Sequence, residues 1–122
     1  MTHVFRSDQP IYTQLIELWQ RDIASGALAP GERLPSVRDL AAELGVNPNT
    51  VQRALQELER LGLIYTQRTS GRFVTEDTAA ISRCKDALGA GLIRDFLAAM
   101  KLLGYQKQDV LLLLQEDKEE EA

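Results

Sequence analysis

The chain is poor in the residues that most often carry chemistry. Its 122 residues include one histidine, His3, and one cysteine, Cys84. A single histidine near the N-terminus makes neither a catalytic triad nor a histidine metal cluster. A single cysteine closes no internal disulfide, which fits a reducing cytoplasm. Long apolar runs are missing too: Val110–Leu114 spans five residues, against the roughly 20 of a membrane span. Met1–Arg6 lacks the apolar core of a secretory signal, so a cytoplasmic protein away from membranes is expected. There is no glycine-rich phosphate loop, because glycines 26, 31, 45, 62, 71 and 104 each fall at a turn or helix end. Paired carboxylates such as Glu57 and Glu59 have no apolar cleft to perturb them. Nothing here supports an enzyme, a cofactor or a metal. Excess positive charge is absent as well, the formal net charge being −4. That does not exclude nucleic acid, since binding needs a local basic face and not a basic protein.

What is present is ordinary globular material, 44% hydrophobic and 26% charged. The charge is unevenly spread. Residues 33–72 hold six arginines against four acids and no lysine, while acids gather in Glu116–Glu121 as a solvated tail. Helical periodicity over about Pro10–Ser25 puts Ile11, Leu15, Leu18, Trp19 and Ile23 on one buried stripe, with Asp8 as cap and Gly26 as stop. Leu34-Pro35 reads as extended. Ser36 and Asp39 have the spacing of a reciprocal capping box opening a helix that Gly45 ends. Asn47 and Pro48 then open another, as cap and first helical residue, running to about Leu61. Two helices joined this tightly form a helix-turn-helix. Leu63–Thr66 and Arg72–Thr75 read as two short strands of a hairpin. The predicted fold is therefore mainly α with a small β-hairpin, a winged helix-turn-helix over residues 1–76.

Residues 77–122 are predicted as a long helix from about Thr78 to Leu103 and a shorter one from about Gln106 to Asp117. Five consecutive apolar residues, Val110–Leu114, go right round a helix at about 100° per residue. Two helices cannot cover such a surface alone, and left bare it is an aggregation hazard. A second copy of the chain is the expected cover, with Leu88, Leu92, Phe96, Leu111, Leu112 and Leu114 at the dimer interface. Gly89 and Gly91 either permit close helix approach or mark a bend. Cys84 falls on the apolar stripe as a core residue; the rival reading, a redox sensor, leans on its neighbours Arg83 and Lys85.

The helix opened by Asn47 buries Val51, Ala54, Leu55 and Leu58, leaving Asn47, Asn49, Thr50, Gln52, Arg53 and Gln56 outward. Amides, a hydroxyl and an arginine are the groups that read base edges and phosphates in a major groove, and no carboxylate interrupts them. A face selected for solubility alone would more often carry Glu and Lys. Ser36 and Arg38, at the mouth of the preceding helix, are positioned for phosphate or base, although Arg38 has Asp39 and Glu43 as surface alternatives. Arg68, Gly71 and Arg72 belong to the hairpin tip, where a wing meets the DNA backbone or minor groove. On this reading Gln52→Ala relaxes sequence preference, whereas Arg72→Ala weakens all sequences alike.

These residues resemble the GntR-type transcription regulators. The match runs through Pro10-Ile11-Tyr12, Gly31–Ala41, Leu44–Val51, Ala54-Leu55, Leu58, Gly62-Leu63-Ile64 and Gly71–Val74. The short tail, with Leu103-Gly104-Tyr105 ahead of the last helix, is similar to the YtrA subfamily. The resemblance implies a small dimeric repressor linked to transporter genes, contacting double-stranded DNA through Arg38, Asn47, Thr50, Gln52 and the wing tip at Gly71. The chain departs from many relatives at Pro48 and Gln52, where they carry arginine, and near Thr69-Ser70, where a glycine and a lysine are usual. Two short helices are a poor house for a ligand pocket of roughly 300 Å³ or more, so a small-molecule effector would need a pocket between subunits or between the two parts of each chain, and no residue identifies one. The reading from another class is a protein-docking module, since winged helices also serve that purpose.

Overall fold

The chain enters its first helix through a clamp built on one amide. In the computed structural model, which describes residues 4–117, α1 runs Ile11–Ser25 with Pro10 at its N-cap. Buried Gln14 accepts from the Arg6 N–H at 2.8 Å and donates to the carbonyls of Arg6 and Gln9 at 2.8 and 2.9 Å. This replaces the expected cap: Asp8 pairs with Arg6 instead, because the clamp holds the backbone that Asp8 would otherwise have had to approach. His3 and the acidic residues after Asp117 lie outside the described residues. α1 buries Leu15, Trp19 and Ile23, but Ile11 is 41% exposed, one turn too early to reach the core. Gly26 ends the helix at φ 86°, a left-handed cap suited to glycine.

α2 (Val37–Leu44) begins at Ser36, whose hydroxyl accepts from the Asp39 N–H at 3.1 Å. The bond runs one way. The reciprocal box appears elsewhere, at Gln106 and Asp109. α3 (Pro48–Arg60) is capped by Asn47, which accepts from the Asn49 N–H at 2.7 Å. Its buried face, Val51, Ala54, Leu55 and Leu58, packs with α1 and α2 around one core that also takes in Val46, Leu63, Ile64 and Val74.

The hairpin pairs β1 (Ile64–Gln67) with β2 (Gly71–Val74) antiparallel, with Tyr65 opposite Phe73 and Thr66 opposite Arg72. The strands begin and end one residue away from the predicted limits. Thr75 N–H still reaches the Leu63 carbonyl at 2.9 Å. The sheet has a third edge that the periodicity did not reveal. Arg33 bridges to Phe73, with the Leu34 N–H donating to Arg72 O and the Val74 N–H to Glu32 O, both at 2.9 Å. The extended Glu32–Leu34 segment therefore anchors the wing from behind.

Asp77 caps α4 (Thr78–Leu102) through bonds from the N–H groups of Ala79 and Ala80. The helix is continuous through Gly89 and Gly91, and a Cβ at Gly89 would meet open space. Its start lays Ile81 and Cys84 against the core, so the first compact unit extends to Lys85 and the second begins at Asp86, later than the 76/77 division drawn from the predicted elements. In the second unit, Gly104 at φ 97° turns the chain into α5 (Lys107–Glu116). Val110 is buried there, while Leu111–Leu114 are each 44–58% exposed. No helix among the described residues is long and apolar enough to cross a membrane.

Candidate nucleic-acid interface

A helix-turn-helix presents its second helix because the first helix and the turn hold it from one side only. The buried positions of α3 cover one side, and at 100° per residue Asn49, Gln52, Arg53 and Gln56 come out opposite them. Asn47, Asn49, Arg53 and Gln56 are exposed, and Thr50 and Gln52 are half-buried at the edges of that face. No carboxylate interrupts the stretch. Glu57, which follows it, is bound by Arg60 through two short bonds of 2.8 and 2.6 Å. The Arg60 guanidinium holds the Glu57 carboxyl below its usual range, and Glu57 in turn raises the pKa of Arg60. The Glu57 charge is thus paired in place, while Glu59, exposed further along α3, accepts from the Thr66 hydroxyl at 3.1 Å.

Around this helix stand the other residues assigned from sequence. Ser36 and Arg38 are exposed at the start of α2. The ion pairs among the described residues are Arg6–Asp8 and Arg60–Glu57, so Arg38 is not drawn to Asp39 or Glu43 and its charge faces solvent. Arg68 is exposed at the hairpin tip. Gly71 sits at φ 106°, with the Arg33 guanidinium 3.3 Å from where a Cβ would be. Arg33 is the cation that sequence reasoning did not place. Its proximity to the tip depends on the bridge to Phe73, for which two or three extended residues give no periodic signal.

Two arginines are oriented differently from the sequence expectation. Arg53 stacks on Tyr12, its Cζ 3.7 Å from the ring centroid. This cation–π contact joins α3 to α1 and turns the guanidinium towards α1. Arg72, expected against the DNA backbone, instead reaches from β2 to α3, its Nη2 donating to Gln52 Oε1 at 3.3 Å. Its Nε is buried and finds no partner.

Cys84 is half-buried, its thiol pushed up in pKa by that burial, with Sγ 4.0 Å from the Gln20 carbonyl. That is the environment of a packing residue and the opposite of an activated thiolate. No group of three or more His, Cys, Asp or Glu among the described residues is arranged to hold a metal ion.

The arrangement is that of known DNA-binding regulators. The family model "Bacterial regulatory proteins, gntR family" matches residues 11–74. The chain is 39% identical to the HTH-type transcriptional regulator YhcF of Bacillus subtilis (strain 168), covering 91% of this chain and 92% of that protein. It is 46% identical to the HTH-type transcriptional repressor YtrA of the same organism over 59% of this chain and 55% of the relative. Among solved structures, a GntR family transcriptional regulator from Listeria monocytogenes superposes with a TM-score of 0.84 at 35% identity, covering 93% of this chain and all of that one. The DNA-binding domain of AraR in complex with operator ORX1 matches 59% of this chain and 93% of its own, with a TM-score of 0.55 at 27% identity. The family consists of transcription regulators and not enzymes. On these matches the chain belongs to the gntR family of bacterial regulatory proteins, DNA-binding transcription regulators built on a winged helix-turn-helix.

Proposed function

We propose that the protein is a cytoplasmic, homodimeric repressor that reads a two-fold symmetric operator in double-stranded DNA. One observation carries the reading: the carboxylate-free face of α3 from Asn47 to Gln56, beside the exposed start of α2 and the arginine-bearing wing. Asn49, Thr50 and Gln52 read base edges in the major groove. Asn47, Ser36, Arg38, Arg68 and the Gly71 tip take phosphates, and these fix register. Arg53, held on Tyr12, places its charge beside the groove. The relative named a repressor supports repression as the outcome, and the YtrA-like tail supports transporter genes as targets.

Dimerisation follows from what α4 and α5 leave bare. Leu92 is 69% exposed and Phe96 44%, and with half-buried Leu88 they run along α4, while Leu111, Leu112 and Leu114 are exposed on α5. A second copy of residues 77–122 covers both faces and spaces two recognition helices about one DNA turn apart. Between the end of α4 and the start of α5 lies a groove of about 530 Å³ lined by Leu97, Lys101, Tyr105, Lys107 and Val110. Its volume is in the range for small ligands, and its two lysines suit an anionic effector.

Selection from random duplex DNA at about 0.15 M salt, followed by sequencing, tests the reading. An inverted repeat with half-sites about 10 base pairs apart is the expected product. A folded dimer that enriches no motif would instead favour the docking module, whose partner is another protein.

A further inference from the structure

We propose that Arg72 is a positioning residue for base recognition, acting through Gln52: it turns the Gln52 carbonyl towards the wing so that the amide presents its NH₂ group to the DNA and selects guanine. The inference rests on the reading that α3 enters the major groove.

A glutamine amide has two faces of opposite character, and which one meets a base is open unless a neighbour settles it. Arginine has donors and no acceptor, so the Gln52 atom 3.3 Å from Arg72 Nη2 is the carbonyl oxygen. The NH₂ group then points away from the wing. A free glutamine pairs with adenine by accepting from N6 and donating to N7. Guanine instead offers two acceptors, O6 and N7, which suits an amide whose oxygen is already engaged and which has a cation behind it. The hydrogen bond joins residues 20 apart in sequence, so the wing and the recognition helix become one reading unit.

The cost of the arrangement favours this role over a structural one. Arg72 Nε is buried without a partner, and an orphaned donor lowers stability. Methionine at this position keeps an unbranched apolar stem and removes the orphan, so Arg72→Met folds with a melting temperature at or above that of the parent chain.

The experiment compares the full chain with Arg72→Met and Gln52→Ala, each confirmed folded by thermal melting. Each is titrated against the selected operator and its three single-pair variants at the position contacted by residue 52. The parent chain prefers guanine over adenine there by roughly 5- to 150-fold. Arg72→Met moves that preference towards adenine, because the freed amide offers its oxygen to N6. Gln52→Ala removes it. Retention of the guanine preference in Arg72→Met, with affinity falling equally on all variants, overturns the proposal and returns Arg72 to a backbone role. Retention in Gln52→Ala also overturns it, since Arg72 would then be reading the base itself. If the parent chain enriches no motif at all, the DNA-reading assignment fails first and takes this inference with it.

Discussion

At the scale of single residues, side chains serve the backbone and the proposed DNA face together, and the two duties can be separated. Asn47 caps α3 by accepting from the Asn49 N–H and, on the proposed function, also meets a phosphate. Asn47→Ala removes the cap at a cost of about 1 kcal/mol, visible as a lower melting temperature. Asn47→Asp keeps an equivalent cap oxygen and leaves stability nearly unchanged, yet places a negative charge against the DNA. Operator affinity should therefore fall in both variants, with stability falling only in the first. Equal affinity for Asn47→Asp and the parent chain would remove Asn47 from the interface. Cys84 allows a check of a different kind. Burial raises its thiol pKa, so as pH climbs past the ordinary thiol value the unfolded chain ionises first and the folded state loses relative stability. The same shift predicts slower alkylation at pH 8 in the native protein than in denaturant. Native alkylation as fast as a free thiol's would reopen the redox reading.

At the scale of elements, the helices were largely legible because each announces itself by several independent signals at once. α3 has a cap, a proline at its first position, a four-residue apolar face and a glycine beyond its end, and its observed limits match the sequence reading closely. The wing's strands were legible too, but not the segment behind them. Glu32–Leu34 contributes only an isolated bridge, and pairings this short depend on where the chain is brought by α1 and α2. Arg53 on Tyr12, Arg72 on Gln52 and the Gln14 clamp were hidden for the same reason: the chain's path, and not local spacing, decides which partner a polar side chain meets. The wing tip depends on one backbone conformation. Gly71 lies at φ 106° with Arg33 packed over it, so Gly71→Ala is strained by about 1–2 kcal/mol and pushes the guanidinium aside. Thermal melting should show that loss. Binding should weaken further than the stability loss accounts for, because the tip and Arg33 move together. A variant that melts like the parent chain would show that the turn tolerates a side chain.

At the scale of the whole molecule, the net charge of −4 sets a constraint that the proposed dimer would resolve. A single winged unit offers few cations to DNA, and each phosphate neutralised adds only about 0.9 to the slope of log affinity against log salt. Two units held together double the number of phosphate contacts without changing any residue. Stability and operator affinity should then both depend on protein concentration, since burial of Leu92, Phe96 and the α5 leucines in a second copy is linked to folding by mass action. Replacing Leu111 and Leu112 with glutamate places charges on two neighbouring directions of α5, both now exposed. We expect that variant to sediment as a monomer with its winged unit still folded, because no α5 residue belongs to that unit's core. Its affinity for one half-site should be unchanged, while its affinity for the full inverted repeat should collapse to the half-site value. A monomer that still bound the full operator tightly would place the pairing surface elsewhere. A double-glutamate variant that remained a dimer would show that α4 alone holds the two copies together.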